Sequence, residues 1–495
     1  MNGKPDGKEN NIWYQHVKGS QIAAAIPYIL AGIVCLCISV PIRSKSLYYD
    51  EGYSIDLARK TVGGLVRGTA ADVHPPLYYL LLKLFSLIGG ESIVKYRLIT
   101  ACGAYFNLFW LGATRIRKRW NPRVATFYIL WFGAAYSTII RSVSIRMYSW
   151  GAFFVTAAAL GLLAWYEEGG KRRFISAVLF TLAAMYTHYY AALAVFVAWG
   201  ILFSAVLITD RRRVGKVLLG GLLATVGYLP WMSVVVTQTQ QVADGYWIEA
   251  LDWEEWIMAP AEVMESSLTG IGLVFCVVAA ALVLTAVIRR KWDALICFAV
   301  FAGTMVGAAL ISVWIVPIWN ARYLYVVWGM LSLSTAIMAG EYMGRSSCVF
   351  QVLLLLLLSV ELFFSVETIR QSEMMTSTAE QLVEFLDENV EEGACIFLDD
   401  PEESKKIYGV YMPQVEFVMV KDLAGEDGGE LLRTVLEQGQ ERQMWYIINY
   451  VQIQLGTDGM REMLERNGYE MEYAISCTIE ERQLEIYRIG SRDHQ

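Results

Sequence analysis

The fold class predicted for this 495-residue chain is a polytopic α-helical membrane protein with a C-terminal extracytoplasmic α/β domain. Three observations predict it. Hydrophobic residues make up 56% of the chain and charged residues only 18%, below the roughly 25% of soluble domains, and the mean hydropathy is +0.40. Apolar runs of about 20 residues, the length that crosses a hydrocarbon core, recur through the first 366 residues. Charge then breaks sharply: residues 1–366 carry 30 Lys+Arg against 20 Asp+Glu, whereas residues 367–495 carry 11 against 28. The break near Glu367 marks a boundary between a membrane domain (1–366) and an acidic soluble domain (367–495).

About 20 polar residues precede the first apolar run. No small-residue cleavage site stands out, so that run reads as a retained first helix. Eleven spans are predicted, near 22–42, 96–114, 124–141, 147–166, 174–189, 190–208, 216–236, 269–288, 293–313, 323–340 and 347–366. Basic clusters such as Arg115–Arg119, Lys171–Arg173, Arg211–Arg213 and Arg289–Lys291 fall in alternate gaps, and short basic loops mark the cytoplasm. The N-terminus is then cytoplasmic, and an odd number of spans places the acidic tail outside, in a multi-pass protein of the cell membrane.

Two large loops face outward in this scheme. The first, 43–95, contains Leu77 to Gly90, an apolar stretch of about 14 residues with Lys83 inside it. That length suits a surface-lying helix better than a span. The loop also carries Arg43, Lys45, Arg59, Lys60, Arg67 and Lys95 against the positive-inside trend, which contact with anionic headgroups or a lipid phosphate would explain. The second, 237–268, interleaves Trp247, Trp253 and Trp256 with acids, the pattern of an interfacial anchor.

Beyond Glu367 short strand patterns alternate with amphipathic helices. Strands are predicted at 395–399, 415–420, 444–450, 471–478 and 484–489, and helices at 379–389, 429–438 and 458–467. This alternation predicts a small α/β domain with a partly parallel sheet. The tail has no GxGxxG and no P-loop. The eight cysteines show no metal-ligand spacing; Cys395 and Cys477 are able to pair in an extracytoplasmic tail, but spacing does not fix connectivity.

The polar residues of the membrane domain gather at turns predicted to face one compartment: Asp50, Glu51, Asp72 and His74 in the first outer loop, Arg146 and Tyr148 between the third and fourth spans, His188 between the fifth and sixth, and Arg322 at the tenth. Charged groups near a bilayer persist where water or function retains them. Arginines give paired hydrogen bonds to phosphate oxygens and stabilise a phosphate leaving group, and a carboxylate within hydrogen-bond reach activates a hydroxyl. Asp72 beside His74 suits either a divalent metal, the one cofactor this pattern leaves room for, or the orientation of a phosphate. Separately, each residue has a plainer reading: solvated loop acids, a proline-initiated helix start, or arginines snorkelling to headgroups.

Tyr49-Asp50-Glu51, followed by Asp72-Val73-His74-Pro75-Pro76-Leu77, resembles the first extracytoplasmic loop of the protein O-mannosyltransferase and aminoarabinose-transferase superfamily, glycosyltransferases of the GT-C fold that include dolichyl-phosphate-mannose-protein mannosyltransferases. Tyr96-Arg97-Leu98, Arg146-Met147-Tyr148, Thr187-His188-Tyr189-Tyr190 and Arg322-Tyr323 extend the resemblance over roughly residues 20–340. It implies inverting transfer of a hexose or pentose from a polyprenyl-phosphate-linked donor to a glycan, lipid or protein acceptor. Asp50 would be the base with Glu51 its neighbour, and Arg146, Arg322, Tyr148 and His188 would hold the donor phosphate. Bacterial relatives often carry an acid two residues before the Arg-Met-Tyr arginine; here the position is Ser144. The His-Pro-Pro-Leu run is nearest the protein-directed version. The rival class is a non-enzymatic lipid or solute transporter using the same outer-face charges. Transporters usually show internal repeats and broken helices at the midplane, and the sequence shows no repeat. No nucleic-acid partner is expected.

Overall fold

The computed structural model describes residues 7–88, 91–245, 248–265, 270–342, 348–400, 404–423, 428–438, 442–450, 453–479 and 482–492. It divides into two compact units. The helical unit comprises Met1–Ile42, Val62–Ile88 and Arg97–Thr368, and the tail unit Arg43–Thr61, Gly89–Tyr96 and Ile369–Gln495.

Among the described residues, eight helices are long and apolar enough to cross a membrane: Gln21–Arg43, Tyr148–Glu168, Tyr189–Thr209, Arg211–Ala243, Ile271–Ile288, Trp292–Trp314, Ala321–Gly340 and Cys348–Gln371. A ninth is formed if Pro122–Ala134 and Tyr136–Val143, bent by 70°, count as one. The bend falls at Ala135, which is extended (φ −60°, ψ 127°). Of the eleven predicted spans, the remaining two are also helical. Ile93–Phe106 runs into a π-helical turn at Asn107–Ile116, and Lys171–Met185 has 15 residues, short of a bilayer's thickness even when upright. Leu77–Ser86 is a 10-residue helix, too short to cross.

The Tyr148–Glu168 and Ala321–Gly340 helices are buried along nearly their whole length, whereas Arg211–Ala243 and Cys348–Gln371 expose most of theirs. Helices apolar all round are either core or lipid-facing, and these two pairs divide between the roles. Close packing at the centre uses glycine. A Cβ on Gly103 would lie 2.6 Å from the backbone of Ser149 and Trp150, so the Ile93–Phe106 helix crosses the Tyr148–Glu168 helix backbone to backbone. Ser149 Oγ and Trp150 Nε1 donate to the Thr100 and Ile99 carbonyls across that crossing (2.6 and 3.0 Å).

The tail unit contains a five-stranded sheet: β1 Cys395–Asp399, β2 Glu416–Met419, β3 Met444–Asn449, β4 Tyr469–Ile479 and β5 Arg482–Ser491. Its order is β2-β1-β3-β5-β4, with β1 parallel to β2 and β3, and β5 antiparallel to β3 and β4. All five predicted strands and the three predicted helices form, the helices at Ala379–Asn389, Gly428–Gln438 and Gly456–Glu465. Phe397, Val418, Tyr446 and Ile448 pack against Leu432, Leu436, Met460 and Leu464 in one buried cluster. Cys395 and Cys477 are buried free thiols, and burial pushes them up to about 11 and about 12 respectively. The helix Tyr49–Arg59 also belongs to this unit and packs on Lys405–Tyr411, a helix the sequence pattern does not mark.

Candidate functional site

Four turns of the helical unit meet around one cluster of polar side chains. The turn ahead of Leu77–Ser86 carries Asp72 and His74, and the Leu77 amide donates to the Tyr186 carbonyl (2.9 Å), which fastens it beside the next turn. There His188 is the N-cap of Tyr189–Thr209, its Nδ1 accepting from the Tyr190 amide (3.1 Å). Arg146 lies in the connection between Tyr136–Val143 and Tyr148–Glu168, where the Arg146 amide donates back to the Ser144 carbonyl (2.5 Å). Arg322 opens the 3₁₀ turn Ala321–Val327, capped by Asn320 (3.1 Å).

These residues touch. His74 Nε2 lies 2.9 Å from Arg146 Nη2, and His74 Nδ1 lies 3.6 Å from Asp72 Oδ2. The His188 ring stands edge-on to His74, with centroids 6.2 Å apart, and packs against Tyr148, Tyr190 and Tyr323 at 5.8, 5.9 and 5.0 Å. The Arg322 guanidinium lies over Tyr323 (5.3 Å) and that of Arg141 over Tyr148 (5.9 Å). His74, Arg146, Tyr148 and His188 are buried, and Asp72 and Arg322 half-buried. Burial first, then the positive field of Arg146 and Arg322 with His188 nearby, holds the His74 imidazole well below its usual 6.5. It is neutral at physiological pH. The guanidiniums therefore supply the positive charge.

Three residues of the cluster, His74, His188 and Tyr323, line a cavity of about 300 Å³. Val235, Val242, Ile311 and Ile315 line it too, together with Tyr189, Tyr190 and Gln238. A mostly apolar cavity with a few convergent polar groups is the usual form of a ligand site. Its wall contains a fastening that the sequence reading missed. Gln238 donates to the Thr69 and Ala70 carbonyls (2.8 and 3.3 Å) and accepts from the Tyr189 hydroxyl, which in turn accepts from Trp231 Nε1 (3.2 Å). The available signal was Thr237-Gln238-Thr239-Gln240-Gln241, an amide-rich run at the end of an otherwise apolar helix.

Asp50 and Glu51 belong to the tail unit. They occupy the first turn of Tyr49–Arg59, where the helix dipole favours carboxylates. Glu51 is buried, and its Oε2 accepts from the Tyr48 amide (3.1 Å); Asp50 is half-buried. Lys406 donates to the Tyr49 hydroxyl (3.1 Å) and sits over the Tyr53 ring (4.6 Å). The structure thus brings together Asp72, His74, Arg146, Tyr148, His188 and Arg322 within one unit and carries the acidic pair on the other. Among the described residues, no group of three or more His, Cys, Asp or Glu side chains is placed to hold a metal ion.

No protein-family profile and no curated sequence matches the chain. Its fold is nonetheless shared with solved structures. The crystal structure of ArnT from Cupriavidus metallidurans in the apo state is similar, with a TM-score of 0.64 at 11% identity, covering 93% of this chain and 97% of that one. The structure of the same protein bound to undecaprenyl phosphate gives a TM-score of 0.59 at 12% identity, with the same coverage. The fold is therefore of the GT-C type, and the chain is an integral membrane protein.

Proposed function

We propose that this protein is a membrane glycosyltransferase that moves a sugar from a polyprenyl-phosphate-linked donor to an acceptor hydroxyl on the extracytoplasmic face, with inversion. The observation that carries this reading is a largely aliphatic cavity lined also by His74, His188 and Tyr323, with Arg146 in contact with His74 and Arg322 over the Tyr323 ring. An apolar cavity with guanidiniums beside its polar lining suits an isoprenoid tail ending in phosphate. The likeness to ArnT, crystallised with undecaprenyl phosphate, supports the donor class. The basic loops set the N-terminus inside and the tail outside.

In this mechanism the acceptor O–H gives its proton to the Asp50 carboxylate as its oxygen bonds to C1 of the sugar. The C1–O bond to phosphate breaks, and its electron pair goes to the phosphate oxygen, where Arg146 and Arg322 stabilise the developing charge. Glu51 holds the start of the helix that presents Asp50. The test is Asp50→Asn, assayed for transfer from a polyprenyl-phosphate sugar in detergent. We expect a loss of at least about 10²-fold in turnover with lipid-phosphate binding retained. Undiminished turnover removes Asp50 from the role. A wild-type protein that binds the lipid and never transfers sugar is a binding protein or transporter.

A further inference from the structure

We propose that His74 is a positioning residue that accepts a hydrogen bond from Arg146 through Nε2 and so aims its guanidinium; it is neither a metal ligand nor a donor to phosphate. The inference rests on the transferase reading for its kinetic consequence, but its geometry stands apart from that reading.

The argument turns on proton counting across one contact. A guanidinium has N–H donors and no acceptor. With Arg146 Nη2 at 2.9 Å, His74 Nε2 must offer its lone pair. In a neutral ring the proton then sits on Nδ1, on the side where the Asp72 carboxylate lies 3.6 Å away, beyond hydrogen-bond reach but of favourable charge. The order is Nδ1–H, Nε2, guanidinium N–H.

Each rival use of His74 breaks that order. A metal on Nε2 takes the lone pair that Arg146 occupies and sets a divalent charge beside a buried guanidinium. A metal on Nδ1 moves the ring proton to Nε2, donor against donor at 2.9 Å. Donation to phosphate from Nε2 meets the same conflict. The charged and titratable groups facing the ring are Asp72 on its own turn, Arg146 from the connection before Tyr148–Glu168, His188 from the turn before Tyr189–Thr209, and Arg322 from the 3₁₀ turn. A protonated imidazole would add a third cation to that set, and burial disfavours it further. His188 stands edge-on to the ring, and the Leu77 amide on the Tyr186 carbonyl fastens the turn that carries it.

Two measurements on the full-length protein test this. The first is ¹⁵N NMR of histidine-labelled protein. The chain has four histidines, so the His74 signals are those that vanish in His74→Gln. We expect a protonated Nδ1 and a bare Nε2 at pH 7, unchanged on titration to about pH 5.5; this range lies below the ordinary histidine value. A protonated Nε2 overturns the proposal whether or not the protein is a transferase. The second is kinetic. His74→Gln keeps a side-chain acceptor for Arg146 and should transfer within about fivefold of wild type, whereas His74→Phe should lose about 100-fold in kcat/KM, the scale of a misplaced catalytic group. Chelator should leave the wild type unaffected. Equal loss in both variants, with chelator inhibition relieved by a divalent cation, overturns the positioning role. A wild type with no transfer at all sinks only the transferase reading, and the NMR result still decides the tautomer.

Discussion

Adjacent acids in this chain hold different jobs because their side chains meet different surroundings. Asp50 and Glu51 read as one acidic pair in sequence, yet Glu51 is buried on the Tyr48 amide while Asp50 keeps a half-open side chain. Glu51→Ala should therefore lower the thermal midpoint, by the equivalent of about 1 kcal/mol for a lost helix cap, and Asp50→Asn should leave the midpoint near wild type. A Glu51→Ala protein that melts like wild type would contradict the capping role. Asp399 and Asp400 are both buried and likewise serve different partners. Asp399 accepts from the amides of Gln454 and Gly456 (both 2.8 Å) and from the Tyr446 hydroxyl (3.0 Å), and so caps the helix Gly456–Glu465. Burial raises the Asp400 carboxyl, with Tyr408 donating to it at 2.8 Å. The residue types were legible in sequence, because charge near a bilayer is conspicuous. Which partner each neighbour meets was not, because that is set by packing rather than by residue type.

At the level of elements, strands and amphipathic helices of the tail announce themselves by period, since each buries one face. The short helix Lys405–Tyr411 did not, because seven residues give no periodicity to read. Spans were legible by apolar length, but the bend at Ala135 was not, since no proline marks it and Gly133, two residues earlier, lies inside the helix Pro122–Ala134 where it packs closely on Val34. The crossing at Gly103 is another feature set by packing alone. Gly103→Ala places a methyl 2.6 Å from the Ser149–Trp150 backbone. We expect about 1–3 kcal/mol of destabilisation from overpacking, read as a lower melting temperature in detergent. Gly200→Ala, which meets nothing within 4 Å, is the control and should be silent. Equal behaviour of the two would show that the crossing yields freely.

For the molecule as a whole, the charge break at Glu367 shows where composition changes, and the compact units show what packs with what. The tail unit takes in residues 43–61 and 89–96 from far up the chain. A Cβ on Gly52 would stand 3.0–3.2 Å from Ile407, the Tyr411 hydroxyl donates to the Lys45 carbonyl (2.7 Å), and Arg59 donates to the Gly409 carbonyl (2.7 Å). Contacts across more than 300 positions leave no local signature, so this grouping could not be read from the sequence. The convergence of four turns on His74, Arg146, His188 and Arg322 was legible only as a list of polar turns on one predicted face. Deleting residues 369–495 removes the surface on which Tyr49–Arg59 packs and leaves every residue lining the cavity, with Arg146 and Arg322, in the chain. The truncated protein should still bind polyprenyl phosphate and should transfer no sugar. Near-normal transfer would show that the acidic helix needs no such support.

A consequence concerns vulnerability. If Asp50 is the proton acceptor, the reactive acid is carried by the unit that residues 369–495 complete, so a cut or an unfolding event in that unit disarms the enzyme and leaves the residues that grip phosphate untouched.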